Sequence, residues 1–215
     1  MSAIVSFINK FLPRKVKDKL RSDYSKKHRN EIIENWKNSG RPAPPPHEIK
    51  QTIIEEYQKK SNYKILVETG TYLGDMVEAE KDNFQKIYSI ELGEKLWRQA
   101  VKRFSDCKHI EILQGDSGKV LKNITSKLNE PAIFWLDGHY SEGITAKGDK
   151  ECPIFEELDS IFAYNNLKHI LLIDDARNFV GKGDYPTVLE LESFVKSKNP
   201  SYNVLVKDDV IRFQA

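Results

Sequence analysis

The chain has 215 residues, 39% of them hydrophobic and 31% charged, with a formal net charge of +2. That is enough chain for one core of ordinary size with an extension, and no apolar run approaches the roughly 18 residues a transmembrane helix needs. Its two cysteines, Cys107 and Cys152, lie far apart without a C-x-x-C partner, which argues against a disulfide scaffold or zinc site and fits a reducing compartment, the cytoplasm.

The charge is unevenly placed. Residues 1–30 carry nine Lys/Arg against two Asp, a balance of +7, so the remaining 185 residues sum to −5. The body therefore lacks the field of a nucleic-acid-binding surface, and no nucleic-acid partner is expected. Residues 1–11 show neither a basic region before their apolar residues nor a small-residue cleavage site, so no secretory signal is expected.

Ile4, Val5, Phe7, Ile8, Phe11 and Leu12 recur at helical spacing ahead of a basic stretch ending at Arg29. Two readings stay open. The segment is either an interfacial helix whose Lys and Arg meet anionic lipid, giving peripheral membrane contact, or a helix packed on the body or on a second subunit of a homodimer. A second helix is expected over residues 30–38, with Trp36 on its apolar side and Gly40 as its stop. Arg41-Pro42-Ala43-Pro44-Pro45-Pro46-His47 then forces an extended connection, a stiff linker or a docking motif. Residues 1–48 thus form a basic helical extension with a proline-rich linker, and residues 49–215 form the main domain.

A helix over residues 48–60, with Ile49, Ile53, Ile54 and Tyr57 on one face, leads into a strand over 64–68. The stretch Glu68-Thr69-Gly70-Thr71-Tyr72-Leu73-Gly74 is a glycine-punctuated turn, and residues 75–83 are helix-forming. Strand, tight turn and helix open a nucleotide-binding α/β unit. Gly70 allows the sharp turn, and Gly74 would let the helix start lie close to a ligand. The spacing is E-x-G-x-x-x-G, not the G-x-G-x-x-G that cradles a diphosphate, and Glu68 suits a cationic amino-acid moiety better. A nicotinamide dehydrogenase is disfavoured on that ground.

The pattern then alternates. Strands are expected over residues 86–91, 110–116, 131–137 and 169–175, and helices over 94–104, 119–128, 152–165 and 187–198. The fourth and fifth strands are near-continuous apolar runs, as in central strands covered on both faces. Residues 202–206 and 210–213 read as a closing antiparallel hairpin. The expected fold is α/β, a doubly wound Rossmann-like sheet that is mostly parallel, with an antiparallel C-terminal edge strand.

Ligands bind such sheets at the carboxyl ends of the strands. Glu68, Glu91, Asp116, Asp137, Asp174 and Asp175 all stand there, and acids so gathered need cations or donors between them. Glu91 follows Glu68 by 23 residues, the separation at which a second-strand acid receives a ribose diol. Asp116, in Gly115-Asp116-Ser117, is placed to accept from a purine amine. Together they favour an adenosine without a 2′-phosphate.

The succession E-T-G-T-x-x-G, I-E, G-D-S and L-D-G-H resembles the class I S-adenosylmethionine-dependent methyltransferases over about residues 60–215. Phe134-Trp135-Leu136-Asp137-Gly138-His139-Tyr140 and Ile173-Asp174-Asp175-Ala176-Arg177 are similar to segments of the metal-dependent sugar O-methyltransferases of macrolide and aminocoumarin biosynthesis. The resemblance implies S-adenosylmethionine held by Glu68, Thr69, Gly70, Thr71, Tyr72, Gly74, Glu91, Asp116 and Ser117. It also implies Mg²⁺ held by Asp137, Asp174 and Asp175, and transfer to a hydroxyl of a saccharide or a related small molecule; the basic arm adds a lipid-linked saccharide as a candidate acceptor. His139 stands where that group places a second Asp as base, so Asp137 and His139 are the candidate catalytic residues. An unperturbed histidine suits proton abstraction near neutral pH; a structural histidine bonded to a backbone carbonyl is the alternative. Lys147 and Arg177 are candidate acceptor contacts. The rival from another class is a non-catalytic binding or scaffold protein that keeps the fold.

Overall fold

The computed structural model describes residues 14–138, 151–164 and 167–215. The apolar stripe of residues 4–12, His139 and the loop with Lys147 lie outside these.

Helix α1 (Arg14–Asn38) runs unbroken where a basic stretch and a separate helix were expected. Its 25 residues contain no proline or glycine, so nothing interrupts the hydrogen-bond ladder. Gly40 then turns the chain with φ +86°, and the Trp36 indole N–H donates to the Pro42 carbonyl at 2.8 Å. Helix α2 (His47–Ser61) buries Ile49, Ile53, Ile54 and Tyr57, the expected face. Arg29 ties the two helices, donating to Glu55 at 2.6 Å and Thr52 at 2.9 Å.

The strands that follow are β1 (Ile65–Thr69), β2 (Lys86–Glu91), β3 (Ile110–Gln114), β4 (Ala132–Leu136) and β5 (Ile170–Ile173). The helices between them are α3 (Asp75–Glu80), α4 (Glu94–Arg103), α5 (Ser117–Thr125) and α6 (Ile154–Phe162). After β5 come a 3₁₀ turn (Ala176–Asn178), a small hairpin of β6 (Val180–Lys182) and β7 (Tyr185–Thr187), then α7 (Val188–Lys198), β8 (Asn203–Lys207) and β9 (Val210–Gln214). Thr187 caps α7 through a reciprocal capping box with Glu190.

The main sheet has seven strands in the order β3-β2-β1-β4-β5-β9-β8. β1 through β5 are parallel, whereas β9 runs antiparallel to both β5 and β8. This is the expected doubly wound sheet with an antiparallel edge. Because side chains alternate along a strand, β1, β4 and β5 feed two cores. Val67, Phe134, Leu171 and Ile173 pack with α5, α6 and α7 on one face, and Leu66, Ile133, Trp135 and Leu172 with α1, α2 and α3 on the other. Burying such a side chain is worth about 1.5–3 kcal/mol, which is why the central strands carry almost no polar residue before their carboxyl ends.

Candidate active site

The chain moves outward from β1 to β2 and β3, then returns to build β4 and β5 on the other side. The turns leaving β1 and β4 therefore diverge and open a crevice at the carboxyl rim. Gly70 and Thr71 turn sharply over β2, both donating to the Ile90 carbonyl, at 2.9 and 3.1 Å. Gly70 has φ +85°, and a Cβ there would meet the Asp137 carbonyl oxygen at 2.3 Å. The Asp137 N–H in turn points at Thr69, 3.2 Å from both its carbonyl and its hydroxyl oxygen.

Gly74 serves a different purpose from the one expected. It starts α3 with φ +77°, and a Cβ there would meet the Phe104 ring at 2.8 Å. The close approach is therefore to an aromatic side chain. Tyr72, between the two glycines, is also left-handed (φ +48°) and leaves its ring 45% exposed.

Glu91 ends β2, buried, and accepts one backbone N–H on each carboxylate oxygen: Tyr72 at 2.7 Å and Gly93 at 2.8 Å. Burial raises its pKa while those two N–H groups oppose the rise. Each oxygen keeps a lone pair, so a ribose diol fits the donor count. Asp116 caps α5, with Oδ1 accepting the Gly118 N–H at 3.0 Å. Its other oxygen lies 3.7 Å from the Lys119 ammonium. Ser117 is buried, and a Cβ on Gly138 would lie 3.1 Å from its hydroxyl, 3.0 Å from that of Thr69 and 2.8 Å from a Glu157 oxygen.

Glu68 is buried beneath the turn and accepts from the Ser89 hydroxyl, which lies 2.6 Å from that of Thr71. Burial pushes its carboxyl up to about 8, with Ser89 opposing and the charges of Asp137, Glu91 and Glu80 adding. Burial thus favours its neutral form, and its carboxyl anchors the Ser89–Thr71 hydroxyl pair beneath the turn.

Asp174 and Asp175 follow β5. Asp174 is fully buried and Asp175 takes the left-handed φ of +57° needed to bring both acids to one place. A cation does stand between them, but it is Lys50, from α2. Its ammonium donates to Asp174 Oδ2 and lies 3.8 Å from Asp175 Oδ1. Burial works against its charge, yet the carboxylates of Asp174, Asp137 and Asp175 prevail and hold its pKa above the ordinary lysine value. Asp174 Oδ1 accepts the Asp175 N–H at 2.8 Å, and Asp175 Oδ1 accepts from Arg177 at 2.8 Å. Arg177 also donates to Asp209, in the turn between β8 and β9, so this candidate acceptor contact is engaged with acids.

Among the described residues, no three or more His, Cys, Asp or Glu are grouped to hold a metal ion. The Asp137, Asp174 and Asp175 set expected for Mg²⁺ does not fit one as it stands, because Asp174 Oδ2 is committed to Lys50 and Asp174 Oδ1 to the Asp175 N–H.

Lys50 was not among the expected site residues. It reaches the rim because α2 runs from the carboxyl end of the sheet to the amino end: Lys50 meets Asp174 after β5, whereas Tyr63, just past the helix, donates to Lys168 before it. His47, which opens α2, also comes to this side, and burial lowers its pKa against the opposing charges of Glu48, Asp75 and Asp174.

This sheet, with its crevice and ring of acids, is a Rossmann-like methyltransferase fold. A Podospora anserina methyltransferase solved with S-adenosylhomocysteine bound is similar at a TM-score of 0.55 and 15% identity, over 94% of this chain and 97% of that one. A Bacillus cereus O-methyltransferase in complex with S-adenosylhomocysteine is similar at a TM-score of 0.54 and 13% identity, over 87% of this chain and 90% of that one. At such identities the likeness is one of fold. No protein-family model matches the sequence, and no curated protein matches it.

Proposed function

We propose that this chain is an S-adenosylmethionine-dependent O-methyltransferase acting on a hydroxyl of a saccharide or related small molecule. The observation that carries the reading is Glu91, a buried carboxylate held by two backbone N–H groups beside the β1–β4 crevice, with lone pairs left for a ribose diol. Thr69, Gly70, Thr71 and Tyr72 would line the methionine moiety, with Glu68 and Gly74 shaping the turn from behind. Asp116 and Ser117 would meet the adenine. The two neighbours described with S-adenosylhomocysteine support this cofactor, and the Bacillus cereus O-methyltransferase supports oxygen as the acceptor.

The acceptor oxygen attacks the sulfonium methyl carbon in line. The O–C bond forms, the C–S pair passes to sulfur, and the hydroxyl proton goes to Asp137 or to His139. The protein's share is mainly orientation, which supplies a large part of the barrier reduction in such transfers.

The basic arm of residues 1–30 is read as a peripheral membrane contact that would bring a cytoplasmic enzyme to a lipid-linked acceptor. Among the described residues no helix is long and apolar enough to cross a membrane. Packing of the arm in a homodimer is the outcome to test against it.

The deciding experiment is a screen of saccharide hydroxyl acceptors read as S-adenosylhomocysteine release. Release dependent on both acceptor and Asp137 supports the reading. Tight cofactor binding without turnover of any acceptor would make the chain a non-catalytic binder of the same fold.

A further inference from the structure

We infer that Lys50 is the built-in cation of this site, standing against Asp174 and Asp175 where a divalent ion would otherwise sit, so that methyl transfer here is metal-free. The catalytic half of this statement rests on the methyltransferase reading; the occupancy half does not.

Two successive carboxylates at the end of a buried strand, Asp174 and Asp175, repel one another unless positive charge stands between them. Lys50 and Arg177 supply it. The Lys50 ammonium sits on Asp174 Oδ2 and lies 3.8 Å from Asp175 Oδ1, the same oxygen that accepts from Arg177 at 2.8 Å. Asp174 is fully buried, and its second oxygen is taken by the Asp175 N–H. A magnesium ion binds oxygen at about 2.1 Å with nearly octahedral geometry. It could take Asp174 Oδ2 only by expelling an ammonium already bonded to that atom, and like charge would then stand beside like charge. Helix α2 opposes the expulsion, because Ile49, Ile53 and Ile54 on either side of Lys50 are buried in the core.

An ammonium also suits the chemistry. It has three donors, one spent on Asp174, and the side chain remains 18% exposed, so an acceptor oxygen has a way in. There it steadies the oxygen while the hydroxyl proton passes to Asp137 or His139 and the C–S electrons pass to sulfur. Lys50 keeps all its protons throughout, which separates its part from that of the base. Such a site depends on the helix preceding the sheet, since α2 alone brings the charge to the rim.

The test is a Mn²⁺ titration of the full chain, followed by electron paramagnetic resonance and by the melting temperature, on wild type, Lys50→Ala and Lys50→Gln. Wild type should leave Mn²⁺ free in solution and show no melting shift. Each variant that folds should bind Mn²⁺ and melt higher with it, because removing the ammonium takes the cation off the buried Asp174 Oδ2 beside Asp175. Where an acceptor is turned over, excess chelator should leave wild-type release of S-adenosylhomocysteine unchanged. The variants should lose at least tenfold in turnover with cofactor affinity intact, and Lys50→Arg should recover part of it. Stoichiometric Mn²⁺ binding by wild type, or wild-type turnover by a folded variant that binds no Mn²⁺, would overturn the inference. Failure to find any acceptor would count against the methyltransferase reading, while the Mn²⁺ titration would still decide which cation the site holds.

Discussion

Gly70 and the carbonyl of Asp137 approach so closely that a Cβ on Gly70 would stand 2.3 Å from that oxygen. The contact joins the turn after β1 to the turn after β4 and sets the floor of the crevice. Gly70→Ala meets two penalties there: a left-handed φ of +85° and a clash with backbone, which cannot rotate away as a side chain would. The substitution should cost about 2 kcal/mol or more of stability and weaken S-adenosylmethionine binding in calorimetry. An unchanged denaturation midpoint with full affinity would show that the two turns do not constrain each other.

Glu91→Gln is the cleaner probe of the ribose contact. Glu91→Ala would strand both the Tyr72 and the Gly93 N–H groups, whereas Gln keeps one oxygen to accept from one of them. Charge-assisted hydrogen bonds are worth about 1.5–3 kcal/mol each. The affinity for S-adenosylmethionine should therefore fall tenfold or more while the melting temperature falls less than in Glu91→Ala. Equal affinity for variant and wild type would make Glu91 a purely structural clasp on the β1 turn.

His169 gives a pH dependence away from the site. Its Nδ1 accepts the Ala132 N–H at 3.1 Å, its buried Nε2 has no hydrogen-bond partner among the described residues, and burial holds its pKa down to about 4 from an ordinary 6.5. The folded state keeps the ring neutral while the unfolded chain protonates it. Its contribution is present above pH 6.5 and is lost as pH falls toward 4, on the order of 3 kcal/mol in all. Glu68 and Glu80, raised to about 8 and 7, act with the opposite sign: they favour folding at low pH and lose that contribution as pH rises through those values. The histidine must therefore be isolated as a difference. The unfolding free energy of wild type minus that of His169→Phe should shrink steadily from pH 7 to pH 4.5. A flat difference would refute the assignment.

The rim was legible in the sequence where a single element carries the signal. The strand-end acids follow apolar runs, and the Glu68–Glu91 spacing placed Glu91 beside the β1 turn. Asp174 and Asp175 were legible as acids requiring a cation, but the cation was not. Lys50 lies 124 residues away in sequence from Asp174, and nothing in Glu48-Ile49-Lys50-Gln51 tells a solvated lysine from one that turns inward over a sheet. Only the crossing of α2 over the sheet decides that. The β6–β7 hairpin was missed because three-residue strands around Gly183-Asp184 are too short to show alternation. The tight contact of Gly74 with Phe104 was not legible because Phe104 comes from the end of a different helix.

The basic arm has its own test. Residues 1–26 can be removed without cutting Arg29, which ties α1 to Glu55 and Thr52. The truncated chain should keep its affinity for S-adenosylmethionine and lose sedimentation with anionic vesicles, each basic residue near such a surface being worth about 1 kcal/mol. Equal sedimentation with and without the arm, together with a change from dimer to monomer, would assign the arm to subunit packing.

The account turns on what the crevice beside Glu91 and Gly70 holds. Its most direct test is calorimetric titration of the full chain with S-adenosylmethionine and, separately, with NAD⁺. The predicted result is saturable binding of S-adenosylmethionine, weakened in Glu91→Gln, with no heat from NAD⁺. Binding of NAD⁺ in place of S-adenosylmethionine, or S-adenosylmethionine binding indifferent to Glu91, would contradict it.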